Sequence, residues 1–235
     1  VGAFLPFLPS HSRTEENFEK QLENQGKYRL PIRLVETGVQ RNNSLAYVEE
    51  DPTHNPDIPS DLDKTIEHVA KLRDLDPKSL DSLVIAPHVG VMVTHIDEGN
   101  FSKPCFYSVK DFVRLRDKII NNARSRFLQL QDLARREGLT LAIENACLAV
   151  VQDSSFWQTG ERSQNLDKYK VHYEVLNDIG NLREISRGTL VFDLAHFSAM
   201  EDVPHAFERN KDIISPDDLF ATMKISSWDE YRKRI

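Results

Sequence analysis

Thr189-Leu-Val-Phe-Asp193-Leu-Ala-His196-Phe-Ser198 is a short apolar run that ends on a carboxylate, with an imidazole three residues later. Read as a buried strand, it turns Val191 and Asp193 to one side and Leu190, Phe192 and Leu194 to the other. A carboxylate in a buried row needs a cation, a hydrogen-bond donor or a metal beside it. His196 falls just past the strand end, where the backbone can turn it back to the same spot. Two earlier runs repeat this geometry. In Ser82-Leu-Val-Ile-Ala-Pro-His88-Val-Gly90 the shared face is Val84, Ala86 and His88, opposite Leu83, Ile85 and Pro87. In Leu139-Thr-Leu-Ala-Ile-Glu144-Asn145 it is Thr140, Ala142 and Glu144, opposite Leu139, Leu141 and Ile143.

Each run turns small or β-branched residues one way and larger ones the other, and each row closes on a polar group at its C-terminal end. A narrow barrel interior wants modest side chains in layers, helices cover its outer face, and its site lies at the C-terminal ends of its strands. Strands alternating with helices indicate an α/β chain with a parallel sheet. An open doubly wound sheet would carry a Gly-rich phosphate loop after its first strand, and no such loop is present in the sequence. The expected architecture is therefore a (β/α)8 TIM barrel formed as one domain over residues 1–235, with its last strand not visible before Ile235.

The remaining elements follow from periodicity. Val1 to Leu8 and Leu30 to Gly38 read as strands, the second with Ile32, Leu34 and Glu36 on one face. Helical patterns run from Thr14 to Gly26 and from Asp61 to Leu72, and Asn42 to Asp61 between them is loop-like, with a short strand at Leu45 to Val48. The strongest helix is Lys110 to Glu137. Its stripe is Phe112, Leu115, Ile119, Ala123, Phe127, Leu130 and Ala134, with Ser108 and Asp111 as a capping pair and Gly138 at the exit. Val150 to Asn165 reads as a long surface loop carrying Trp157, and Asp167 to Arg187 as helical with an interruption near Gly180. Ser215-Pro-Asp-Asp218 is a helix start. That helix either continues to Tyr231 or stops early, leaving Thr222 to Ser227 as a further strand.

Composition narrows the function classes. The chain has 235 residues, 40% hydrophobic and 29% charged, as in an ordinary globular protein. No apolar run reaches the roughly 18 residues of a membrane span. The apolar opening Val1 to Ser10 is too short and Pro-broken for a signal h-region, and the absence of an initiator Met suits a processed or trimmed form. A net charge of −7 argues against a dominant nucleic-acid or anionic-membrane surface. Cys105 and Cys147 lack metal-type spacing, which points to a reducing compartment, and the expected localisation is cytoplasmic. A homo-oligomer is compatible with all of this.

Val84-Ile-Ala-Pro-His88-Val-Gly90, Leu141-Ala-Ile-Glu144-Asn145 and Val191-Phe-Asp193-Leu-Ala-His196, in this order and at this spacing, resemble the xylose isomerase-like TIM-barrel superfamily over roughly Asp61 to Ser198. That superfamily comprises metal-dependent sugar isomerases and epimerases and the endonuclease IV type of repair enzyme. The resemblance implies that Glu144 and Asp193 ligate a divalent ion (Mn, Mg, Co or Zn), that His196 is a further ligand or contacts substrate, and that His88 does one or the other. It also implies a catalytic role for Glu144 and His196 and a small sugar as substrate. Such an ion could polarise a sugar carbonyl while a carboxylate moves a proton beside it. It could equally activate water on a phosphodiester, in which case the partner is a nucleic acid. A third reading is a barrel without catalysis. In the superfamily the next strand supplies a His and often an Asp; if Met223 to Ser227 is that strand, Lys224 and Ser227 stand there instead. The closing Glu is not visible, and His11 and Glu36 are candidates on the first strands.

Plainer roles stand beside these. Asp193 and His196 also read as an ion pair or a strand-end cap, Glu144 with Asn145 as a hydrogen-bond network, and His88 as a satisfied core histidine. His54, His95, His172 and His205 read as surface or loop residues. Trp157 reads as packing, or as a lid residue stacking on a sugar.

Overall fold

Residues 142–145 of a parallel strand show its place through their backbone bonds. Ala142 and Glu144 donate to the carbonyls of Ile85 and Pro87 at 3.0 and 3.1 Å, while Ile143 and Asn145 donate to those of Thr189 and Val191 at 3.1 and 3.4 Å. Alternate residues therefore serve opposite neighbours, which makes this strand central between two others. The computed structural model describes residues 3–7, 32–37, 45, 66–67, 69–70, 84–89, 91–94, 106–146, 150–153, 169–209, 211 and 215–235. Its strands are β1 (Ala3–Phe7), β2 (Ile32–Thr37), β3 (Val84–Ala86), β4 (Val91–Thr94), β5 (Phe106–Ser108), β6 (Thr140–Leu141), β7 (Ile143–Glu144), β8 (Val150–Asp153), β9 (Tyr169–Val175) and β10 (Leu190–Val191). Its helices are α1 (Val109–Arg136), α2 (Ile179–Ser186), α3 (Leu194–Arg209), α4 (Asp217–Met223) and α5 (Trp228–Arg234).

The strands β1, β2, β3 and β6 pair in parallel in that order, and β7, which continues β6, pairs in parallel with β10. Across these strands spatial order thus follows chain order with no reversal. A doubly wound sheet reverses at a switch point. The chain is α/β, as its alternating pattern predicts, and its parallel strands advance in one direction. Of the predicted elements, the helix from Thr14 to Gly26 lies outside the described residues, as do His11, His54, His95, Cys105, Cys147 and Trp157. The helix predicted from Asp61 is present at 66–67 and 69–70, with Ile66 and Val69 buried.

Helix α1 follows the predicted stripe: Phe112, Leu115, Ile119, Ala123, Phe127, Leu130 and Ala134 are all buried. It starts where Ser108 Oγ accepts from the Asp111 N–H at 3.1 Å. It ends in a Schellman turn, with Leu139 N–H donating to the Ala134 carbonyl at 2.8 Å and Gly138 N–H to that of Arg135 at 3.0 Å. Gly138 takes φ 69° there, a conformation glycine adopts without a Cβ penalty. The helix packs against α2, α4 and β6. No helix among the described residues is long and apolar enough to cross a membrane.

The structure corrects three predicted elements. Within the helix predicted from Asp167, the described residues Tyr169 to Val175 are the strand β9, antiparallel to β4 and β8 in a second sheet ordered β5-β4-β9-β8. The alternation Tyr169, Val171, Tyr173, Val175 against Lys170, His172, Glu174 is a period of two, and it prevails over the weaker helical spacing. Within the predicted loop Val150 to Asn165, the first four residues are β8. Past Asp217 there is neither one long helix nor a strand. Lys224 adopts φ 53° and closes α4, with Ile225 N–H donating to the Phe220 carbonyl at 3.0 Å. Ser227 then caps α5 by accepting from the Glu230 N–H at 3.3 Å. Lys224 and Ser227 therefore do not occupy a site strand. The Lys224 ammonium instead reaches Asp117 on α1 at 2.9 Å, and that bond holds the Asp117 carboxyl below the usual carboxylate range.

Helix α3 contains Pro204, which has no N–H to give to the carbonyl of Met200 four residues back. Tyr231, buried on α5, donates its hydroxyl to that carbonyl at 2.8 Å. Trp228 beside it stacks between Phe207 of α3 and Phe220 of α4, with ring centroids 5.4 and 4.9 Å away. Replacing Tyr231 with Phe removes one buried donor while keeping the ring. The expected loss is about 1–3 kcal/mol, read as a lower urea midpoint at unchanged slope; an unchanged midpoint would show that the carbonyl does not need this partner.

Candidate functional site

The three polar row ends arrive on neighbouring parallel strands, which is why residues far apart in sequence can meet. His88 lies two residues beyond β3, Glu144 is the last residue of β7, and Asp193 lies two residues beyond β10. In register Val191 sits opposite Glu144. The ligand atoms of Glu144, Asp193 and His196 all lie within 4.8 Å of one another, a grouping that could hold a metal ion. His88 Nε2 is 3.9 Å from Glu144 Oε2, and its ring packs edge-on against that of His196 with centroids 6.3 Å apart. The site has a buried floor, with His88 3% and Glu144 4% exposed, and a more open rim. The side chains of His196 and Asp193 are 30% and 33% exposed.

Asp193 does two jobs. Its Oδ1 accepts from the N–H groups of Ala195 at 2.6 Å and His196 at 3.3 Å, and its carbonyl accepts from Phe197 at 3.0 Å, so it caps the start of α3. The cap expected of a strand-end Asp is thus present. Oδ2 lies 3.5 Å from His196 Nδ1. That nitrogen has a nearer partner in the Asn145 carbonyl at 2.7 Å. A carbonyl only accepts, so Nδ1 carries the proton and, in the neutral ring, Nε2 holds the lone pair a ligand or substrate can use. This is how a metal-binding histidine is normally oriented, through the nitrogen that does not ligate.

Asn145 forms the hydrogen-bond network expected of it, and that network extends to Asp193 and His196. Read from sequence it belongs to a hydrogen-bond network beside Glu144; in the structure it is 1% exposed and reaches across to β10's exit. The signal was an amide directly after the candidate ligand on a central strand. His205 is exposed on α3, as expected of a surface residue. On the β10 side, Leu190 packs against the core as the pattern predicts, while Phe192 and Leu194 beyond the strand are 45% and 73% exposed.

No family model matches the chain, and no curated protein matches it. Among solved structures, the chain is similar to a D-tagatose 3-epimerase-like protein at 15% identity and a TM-score of 0.42, over 83% of this chain and 57% of that one. It is similar to a 3-keto-D-glucoside 4-epimerase from E. coli at 16% identity and a TM-score of 0.41, over 85% of this chain and 62% of that one. A protein of Anabaena variabilis assigned as a sugar phosphate isomerase/epimerase matches at 16% identity and a TM-score of 0.41, over 84% of this chain and 51% of that one. The chain thus spans between 51% and 62% of the length of these proteins.

Proposed function

We propose that the chain forms a single TIM-barrel domain of the xylose isomerase-like kind and acts as a divalent-metal-dependent sugar isomerase or epimerase. The observation that carries this is the meeting of Glu144, Asp193 and His196 at the C-terminal ends of parallel strands laid down in chain order. Two carboxylates and an imidazole on strand ends suit Mn, Mg, Co or Zn. The ligand atoms of the three residues lie within 4.8 Å of one another, close enough for one ion to be shared among them. The donor set fits.

In this reading Glu144, Asp193 and His196 hold the ion, which when bound polarises a sugar carbonyl and its neighbouring hydroxyl. The non-ligating oxygen of Glu144 takes the proton from the carbon beside that carbonyl, and the electron pair moves to the carbonyl oxygen. Return of the proton to the former carbonyl carbon, with the neighbouring hydroxyl proton passing to the former carbonyl oxygen, isomerises the sugar. Epimerisation instead requires a second acid to deliver a proton to the opposite face of the original carbon. His88, against Glu144 on the floor, and His196 on the rim orient the substrate hydroxyls. Burial of Glu144 and His88 keeps water away from the transferred proton. A small sugar and a cytoplasmic setting complete the proposal.

The test is calorimetric titration of Mn²⁺ into chelator-treated protein, followed by incubation with a panel of ketoses in deuterated buffer. One ion bound per chain, a higher melting temperature with Mn²⁺ and deuterium gained at carbon support the reading. No binding and no stabilisation by Mn²⁺ or Zn²⁺ would overturn it. Cleavage of an abasic duplex without exchange into sugars would select the endonuclease IV-type hydrolase instead.

A further inference from the structure

We propose that Asn145 is the positioning residue of this site, holding Asp193 and His196 in one geometry; the idea rests on the metal-site reading above. The side chain of Asn145 pairs with both backbone groups of Asp193. Its Oδ1 accepts from the Asp193 N–H at 2.6 Å, and its Nδ2 donates to the Asp193 carbonyl at 3.0 Å. The amide orientation is set by chemistry, because a backbone N–H must meet the oxygen and a carbonyl must meet the nitrogen. Its own main-chain carbonyl accepts from His196 Nδ1 at 2.7 Å.

The parallel ladder between β7 and β10 ends at the bond from Asn145 N–H to the Val191 carbonyl. Beyond it the chain must leave the sheet and enter α3. The two-point amide pair extends the ladder by one step, using a side chain in place of a strand. It thereby docks Asp193 beside Glu144 and sets the first turn of α3, which carries His196. The carbonyl bond then selects the tautomer that leaves Nε2 for ligation. One buried residue adjacent in sequence to Glu144 thus joins all three members of the cluster.

A purely structural amide predicts lost stability and nothing else. A positioning amide predicts looser metal binding in protein that is still folded. Asn145→Ala is therefore compared with Arg116→Met, a destabilising change whose lost hydrogen bonds run to α4 and α2 and not to α3 or the cluster, both titrated with Mn²⁺ by calorimetry at a temperature where each is folded. Expected is roughly 10–100-fold weaker binding for Asn145→Ala and unchanged affinity for Arg116→Met. Wild-type affinity in folded Asn145→Ala would overturn the proposal. Where the Ala variant does not fold, Asn145→Ser is read the same way, since its short side chain cannot pair both groups.

A second readout needs no metal. Nitrogen-15 imidazole spectra of metal-free protein at about pH 8, where an ordinary His is neutral, should show His196 protonated on Nδ1 in the wild type. The Asn145 variant keeps the main-chain carbonyl but loses the side-chain pair that holds Asp193 and the first turn of α3 against it, so its spectra should show a mixture of tautomers. If wild type binds no Mn²⁺, the metal reading fails while the tautomer result still decides the role of Asn145. Unchanged spectra in the variant would sink that role alone.

Discussion

Glu144→Gln is expected to abolish tight Mn²⁺ binding and to lower turnover by roughly 10²–10⁴-fold, the range lost with a general base. The change keeps the shape of a side chain that is 4% exposed and removes its charge. It therefore removes an anionic ligand and the proton acceptor together, while the strand and its bonds to Pro87 remain. Asp193→Asn separates ligation from folding at the neighbouring position. An amide oxygen can still accept from Ala195 and His196, as Oδ1 does, so the cap on α3 survives. The charge facing His196 does not. Asp193→Asn should thus lose metal affinity with little change in urea midpoint, whereas Asp193→Ala should lose both, the cap being worth about 1 kcal/mol. Calorimetry and urea melts on the same preparations measure both. Wild-type Mn²⁺ binding by folded Glu144→Gln would remove Glu144 from the ligand set.

The central strands were legible because two constraints act on them at once. A strand packed on both faces must be apolar throughout, and a carboxylate or imidazole at its end then stands out, as Glu144 and Asp193 do. Helix α1 was legible for a related reason: nearly eight turns of stripe between a Ser108 cap and Gly138 leave no other period available. What sequence could not show is how the groups orient. That Asp193 spends one oxygen on a helix start, or that His196 turns Nδ1 to a carbonyl, depends on where the chain leaves β10. The missed elements have local causes. In Tyr169 to Val175 a period of two was outweighed in the reading by helix-compatible spacing further on. Past Asp217 the break depends on Lys224 taking positive φ, unusual for a residue with a Cβ. The Ser227-x-x-Glu230 pattern that starts α5 was present in the sequence as a capping signal.

The largest stability effect is expected away from the site, at Arg116. Its side chain is 8% exposed on the buried face of α1. There Nε donates to the Thr222 carbonyl at 3.3 Å and Nη2 to Asn181 Oδ1 at 3.0 Å, tying α1 to α4 and α2. Asp178, fully buried, caps α2 by accepting from the Asn181 N–H at 3.1 Å and pairs with the Asn181 side chain. Burial pushes the Asp178 carboxyl up; the Asn181 hydrogen bonds and the Arg234 and Arg116 charges draw it back down. Arg116→Met keeps much of the apolar stem and removes the cation, stranding two acceptors and part of the compensation for Asp178. The expected cost is roughly 3–5 kcal/mol, or a fall in melting temperature of roughly 6–20 °C at this chain size. The pH dependence gives the sharper check. A carboxyl whose folded value lies above its unfolded one binds its proton more tightly when folded, so stability is present at low pH and is lost as pH rises past about 4. Removing Arg116 moves the folded value higher and deepens that loss. The stability gap between wild type and Arg116→Met should therefore widen in paired urea titrations as pH rises above the raised folded value of Asp178 in the wild type. A gap that stays flat would mean that Arg116 acts only through its hydrogen bonds to Thr222 and Asn181, without easing the burial of Asp178.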